Sequence, residues 1–121
     1  MLNYLKINNV ALIDTLSIDF TDGFNVLTGE TGAGKSIIVD SLNFVLGGKV
    51  NKTLIRSGQS YMRVEALFSA PFDDKIRPIF EDYGIELEDE ILIVRTYTES
   101  GKNDIKLNGH GLTFLFLSSH L

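Results

Sequence analysis

Apolar and polar positions alternate with a period of two along much of the chain, which is the signature of half-buried strands. Leu2 to Asn8 alternates, with Tyr4 the least clean position, and Val10 to Ile13 continues apolar. Thr15 to Phe20 alternates strictly, setting Leu16, Ile18 and Phe20 against Ser17 and Asp19. Thr21-Asp22-Gly23 reads as a tight turn, so Phe24 to Thr28 is expected to return as the second strand of a hairpin. Tyr61 to Ser69 alternates again and ends at Ala70-Pro71. Glu90 to Thr98 is strongly β-prone, and Ser100 to Asn103 turns it back into Asp104 to Leu107. Asn108 to Gly111 predicts a further turn.

Three segments carry a helical pattern instead. Ser36 to Leu46 is apolar at 37, 38, 39, 42, 44, 45 and 46, too many positions for one exposed stripe, and Gly47-Gly48 closes it. This predicts a helix buried on most sides against a sheet. Phe72 to Tyr83 places Ile76, Ile79, Phe80 and Tyr83 at helical spacing, but Pro78 lies inside, which predicts a kink or two short pieces before Gly84. Thr113 to Leu121 reads as the start of a helix. Lys49 to Ser60 is polar and turn-like. The expected architecture is α/β, with antiparallel hairpins, two or three helices and one domain over residues 1–121.

Between Thr28 and Ile37 the chain reads Gly29-Glu30-Thr31-Gly32-Ala33-Gly34-Lys35-Ser36, which fits G-x-x-x-x-G-K-[ST]. A β-prone run precedes it and a helix-length segment follows, the context that a phosphate-binding loop requires. Polyphosphates need several N–H donors converging on one point, and successive loop amides supply them. Gly29, Gly32 and Gly34 permit backbone angles that a Cβ obstructs. The helix from about Lys35 aims its positive end at the phosphates. Lys35 is the candidate for charge compensation and Ser36 for Mg²⁺ ligation, while Glu30, Thr31 and Ala33 are expected to contribute backbone. Asp40, one turn past Ser36, reads as a cap-side or solvent carboxylate. Asn8 and Asn9 suit a turn. Arg63 and Arg95 read as charges on strand surfaces, and His110 as a solvated turn residue.

Charge and composition narrow the picture further. A net charge of −5 argues against a nonspecific basic nucleic-acid binder. The absence of Cys excludes disulfides and thiolate metal sites, and the two His lack a ligand companion. No segment is apolar for the length of a membrane helix, so a cytoplasmic protein without a membrane partner is expected.

The strings Ala11-Leu12-Ile13-Asp14, Phe24 to Leu42, Leu54-Ile55-Arg56-Ser57-Gly58, Val64 to Phe68, Ile91 to Arg95 and Leu107-Asn108-Gly109 occur in that order. Together they resemble the N-terminal region of the bacterial RecN family of DNA repair proteins. The resemblance implies a P-loop NTPase fold, the incomplete N-terminal lobe of an ABC/SMC-type ATPase head. It implies ATP and Mg²⁺ as cofactors, held by Gly29 to Ser36. It adds Arg56 as a residue that contacts phosphate or responds to DNA, and it places Asn8 and Asn9 near the base or ribose. The implied partners are the C-terminal half of the head, a second head in a homodimer, and DNA through the full-length protein. The family is nucleoid-associated and acts in recombinational double-strand break repair. Its signature and Walker B segments do not occur in this sequence, so this chain is expected to be an N-terminal fragment with little hydrolysis of its own. Two other readings stay open: a non-catalytic interaction fragment, and a small P-loop kinase or other ABC-type ATPase. Against the kinase, the apolar run Ile91 to Val94 ends in Arg95 with no Asp after it.

Overall fold

Strict alternation becomes a two-faced sheet. The computed structural model describes residues 2–20, 32–49, 51–72, 74, 76–82 and 84–112. Its strands are β1 (Leu2–Val10), β2 (Ile13–Asp19), β3 (Tyr61–Ser69), β4 (Glu90–Thr98), β5 (Asn103–Leu107) and β6 (His110–Leu112). They form one antiparallel sheet in the order β2-β1-β3-β4-β5-β6. Because side chains on a strand point to opposite faces in turn, register places like with like. Ile7 stands opposite Val64, which stands opposite Arg95, which stands opposite Ile105. Leu5, Ile7, Met62, Val64, Ala66, Ile93, Ile105 and Leu107 are buried on this face. Lys6, Arg63 and Lys106 lie on the other face and are exposed.

Helix α1 (Gly32–Val45) covers the buried face, crossing β3, β1 and β4. It adds Ile38, Phe44 and Val45 to the core, and Phe80 and Ile85 join from the segment between β3 and β4. Burying a side chain of this size contributes about 1.5–3 kcal/mol, so Ile38, Phe44 and Val45 hold α1 on the sheet.

Several elements differ from the sequence expectation. The apolar run Val10 to Ile13 is not continuous strand: Ala11-Leu12 is the turn of a β1–β2 hairpin. Asn9 and Ala11 take positive φ, 57° and 53°, without a glycine. That strain is offset by the neighbouring segment, where the Ala11 amide donates to the Leu54 carbonyl at 2.6 Å and the Arg56 amide to the Asn9 carbonyl at 2.9 Å. β2 therefore pairs with β1, while the expected partner Phe24 to Thr28 and the turn at 21–23 lie outside the described residues. The 49–60 segment holds a 3₁₀ turn (Lys52–Leu54), opened by Asn51, whose Oδ1 accepts from the Thr53 amide at 3.0 Å.

Helix α2 is a single piece, Ile76–Asp82. Pro78 falls in its first turn, where an amide has no intrahelical acceptor, so no kink is needed. The turn expected over Asn108 to Gly111 shrinks to Asn108-Gly109, with φ of 48° and 85°, and His110 begins β6 opposite Leu107. Asn-Gly is the pair that a tight, strand-matched hairpin favours. The Asn108 side chain also accepts from the Leu92 amide at 2.7 Å. The helix expected over 113–121 lies outside the described residues.

A short polar contact joins β1 and β3. Tyr4 donates its hydroxyl to Glu65 Oε2 at 2.6 Å. Arg63 and Glu65 approach at 3.6 Å, a surface pair of small energetic weight. Burial first, and the bond to Glu65 second, push the Tyr4 hydroxyl up from 10 to about 12. In the unfolded chain it ionises near 10, so its contribution to stability is complete below that pH and declines between 10 and about 12. Ultraviolet titration is expected to show a late component from Tyr4. Glu65→Gln should move that component down but keep it above 10, since burial is the leading cause. An unaltered titration in Glu65→Gln would contradict the contact.

Candidate nucleotide site

The P-loop string enters α1 earlier than its apolar pattern indicates. The helix begins at Gly32, so Gly32, Ala33, Gly34 and Lys35 form its first turn, followed by Ser36. Gly29, Glu30 and Thr31 lie outside the described residues. The first amides of a helix have no intrahelical acceptor and lie at the positive end of its dipole. No acidic residue stands in the first turn of α1, so no carboxylate of its own competes for those amides. Ser36 is exposed and Asp40 half-buried. Among the described residues neither side chain makes a hydrogen bond or ion pair with another. A hydroxyl oxygen is a hard donor, so Ser36 has the chemistry to ligate a hard cation beside the first turn of α1. Among the described residues no group of three or more His, Asp or Glu forms a protein-only metal site.

The other end of α1 is closed by two devices that share the Phe44 carbonyl and Gly48. Gly47 takes φ of 100°, its amide donates to the Phe44 carbonyl at 3.1 Å, and the Gly48 amide donates to the Asn43 carbonyl at 2.8 Å. These are the paired bonds of a Schellman stop. The second device is Arg95, which its charged residue type put on a strand surface. It is instead fully buried. Its Nη1 donates to the carbonyls of Phe44 and Gly48, each at 2.7 Å, and its Nε donates to Asn103 Oδ1 at 3.0 Å. The guanidinium carbon lies 4.4 Å from the centre of the Phe44 ring. Burial lowers the guanidinium pKa to about 10, which leaves it charged at neutral pH. The signal for this residue was present in the register: Ile91, Ile93, Arg95 and Tyr97 share one parity, and that parity faces the core.

Arg56 is half-buried in the loop after the 3₁₀ turn. It lines a cleft of about 560 Å³ with Lys52, Gln59, Glu99 and Ser100. Among the described residues nothing bonds its guanidinium. Asn8 donates to Thr15 Oγ1 at 3.2 Å across the hairpin, and Asn9 serves the turn through its backbone, so both have structural employment. Arg63 is a surface charge, as its pattern indicates.

Residues 4–115 match the family described as an AAA domain. The chain belongs to the AAA domain family. Curated relatives of the chain include RecN DNA repair proteins. The chain is 36% identical to RecN of Bacillus subtilis over 97% of its own length and 20% of the relative's. It is 55% identical to RecN of Synechocystis over 69 residues, 57% of this chain and 12% of the relative. It spans about a fifth of the length of the first of these relatives. Among solved structures, one from work on ATP-driven dimerization and DNA-stimulated activation of SMC ATPases superposes with a TM-score of 0.74 at 26% identity, covering 99% of this chain and 76% of that one. The expected P-loop NTPase fold is therefore present, as the incomplete N-terminal lobe of an SMC-type ATPase head, an antiparallel sheet with α1 laid across it. Among the described residues no helix is long and apolar enough to cross a membrane.

Proposed function

We propose that residues 1–121 form the N-terminal part of a RecN-type ATPase head and bind ATP with Mg²⁺ through Gly29 to Ser36. The observation that carries this reading is the placement of Gly32 to Ser36 at the N-terminal turn of a helix with no acidic residue there. Lys35 would neutralise the β- and γ-phosphates, Ser36 would ligate Mg²⁺, and the loop amides would hold the remaining phosphate oxygens. The bound Mg²⁺ supplies charge neutralisation across the phosphate oxygens. In the whole protein this site would work in DNA double-strand break repair in the cytoplasm. There it would be completed by the C-terminal half of the head and by a second head. The names of the curated relatives and the SMC-type superposition support that setting. Arg56, beside Lys52 in an open cleft, would serve as a phosphate or DNA contact on this reading.

The test is equilibrium binding of a fluorescent ATP analogue to the chain, with and without Mg²⁺. Lys35→Ala is expected to weaken binding by about 10- to 100-fold, the loss of one charge-assisted contact. Ser36→Ala should remove the Mg²⁺-dependent part of the affinity and leave the rest. Equal binding by wild type and Lys35→Ala would refute the assignment.

A further inference from the structure

Arg95 does more than the end of a helix requires. The Schellman stop already closes α1, through Gly47 and Gly48. Taking a cation out of water is costly, and an apolar residue of similar volume often serves stability as well. The position lies on the core-facing parity of β4, between Ile93 and Tyr97, where an apolar residue would be ordinary. What an apolar residue lacks is direction. The guanidinium grips the helix end at two carbonyls, Phe44 and Gly48, and is itself oriented by Asn103 on the adjacent strand. Two bonds and the Phe44 ring tie the C-terminal end of α1 to β4.

We infer that Arg95 is a positioning residue for the P-loop: it sets the pose of α1 on β4 and so the placement of the phosphate-binding turn at the helix's far end. The inference rests on the nucleotide reading of Gly29 to Ser36. The lever is the helix itself. α1 has 14 residues, about 21 Å of length, so a tilt of roughly 10° about its C-terminus displaces its N-terminal turn by about 3–4 Å. Phosphate contacts need placement within about 0.5 Å. Asn103 extends the grip to the β4–β5 hairpin, whose turn carries Glu99 and Ser100 of the Arg56 cleft.

Three variants test this in the full chain: Arg95→Met, which keeps most of the volume, Arg95→Lys, which keeps the charge, and Asn103→Ala. Asn103 is exposed, so the last removes one guanidinium acceptor without opening the core. Binding of the fluorescent ATP analogue is measured well below each variant's unfolding midpoint, so that only folded molecules report. Arg95→Met is expected to weaken binding about tenfold or more, Arg95→Lys less, and Asn103→Ala a few-fold. A purely structural Arg95 would lower the midpoint and leave the affinity of the folded protein unchanged, and that result would overturn the inference. Amide hydrogen exchange without nucleotide gives a second, independent reading. Arg95→Met and Asn103→Ala should speed exchange in the second turn of α1, 36–39, where the amides are bonded within the helix. Faster exchange confined to 44–48 counts against positioning. If wild type binds no ATP, the nucleotide reading fails, while the exchange result still decides whether Arg95 sets the pose of α1.

Discussion

Arg95→Ala is expected to lower the unfolding free energy by about 2–4 kcal/mol, more than any surface substitution on the sheet. Truncation removes charge-assisted bonds to two carbonyls and the stack on Phe44, and it opens a cavity in a face where Arg95 is fully buried. The consequences for the two carbonyls differ. Phe44 keeps a partner, since its carbonyl also accepts from the Gly47 amide. The Gly48 carbonyl loses the bond that Arg95 made to it. One term opposes the loss: the desolvation cost of the guanidinium, visible in its lowered pKa, disappears with the side chain. Arg95→Met recovers the same desolvation term and refills most of the volume, so it should cost less than Arg95→Ala. Urea denaturation of both variants checks the order. A loss under about 1 kcal/mol for Arg95→Ala would mean that the packing around Phe44 relaxes to fill the gap.

This residue also shows where sequence reading reached its limit. The strands of β3, β4 and β5 were legible because alternation there is strict and the turns carry Gly or Asn. The P-loop string stood out in the sequence because its eight positions constrain one another, and the structure describes only its last five, at the start of α1. Arg95 was not, although its parity on β4 was visible, because residue type argued for the surface while pattern argued for the core. What decided between them was a partner 51 residues away, the carbonyl of Phe44, and no local pattern reports on that. The β1–β2 turn was hidden for a related reason. Nothing in Val10-Ala11-Leu12-Ile13 announces a positive φ at Ala11. That conformation is held by the Leu54 carbonyl, more than forty positions along the chain. Helix α2 erred in the opposite direction: Pro78 argued for a kink only because the helix was started too early.

Gly48 ties these observations into a last expected result. A Cβ built there meets the Asn43 carbonyl oxygen at 2.6 Å and its carbon at 3.1 Å. Both are backbone atoms of the helix, so no side-chain rotation relieves the contact. The same oxygen accepts the Gly48 amide in the Schellman pair, and the Gly48 carbonyl accepts from Arg95. Gly48→Ala must therefore push the chain away from α1, stretching the stop and moving the Arg95 acceptor together. The expected cost is about 1–3 kcal/mol by urea denaturation, the range for overpacking at a site that cannot relax. Because the two substitutions damage one shared bond, Gly48→Ala and Arg95→Met should not add. The double variant should lose less than the sum of the singles by about 0.5 kcal/mol or more. Strict additivity would mean that Gly48 and Arg95 secure the end of α1 separately, and that the bond between them carries little of the load.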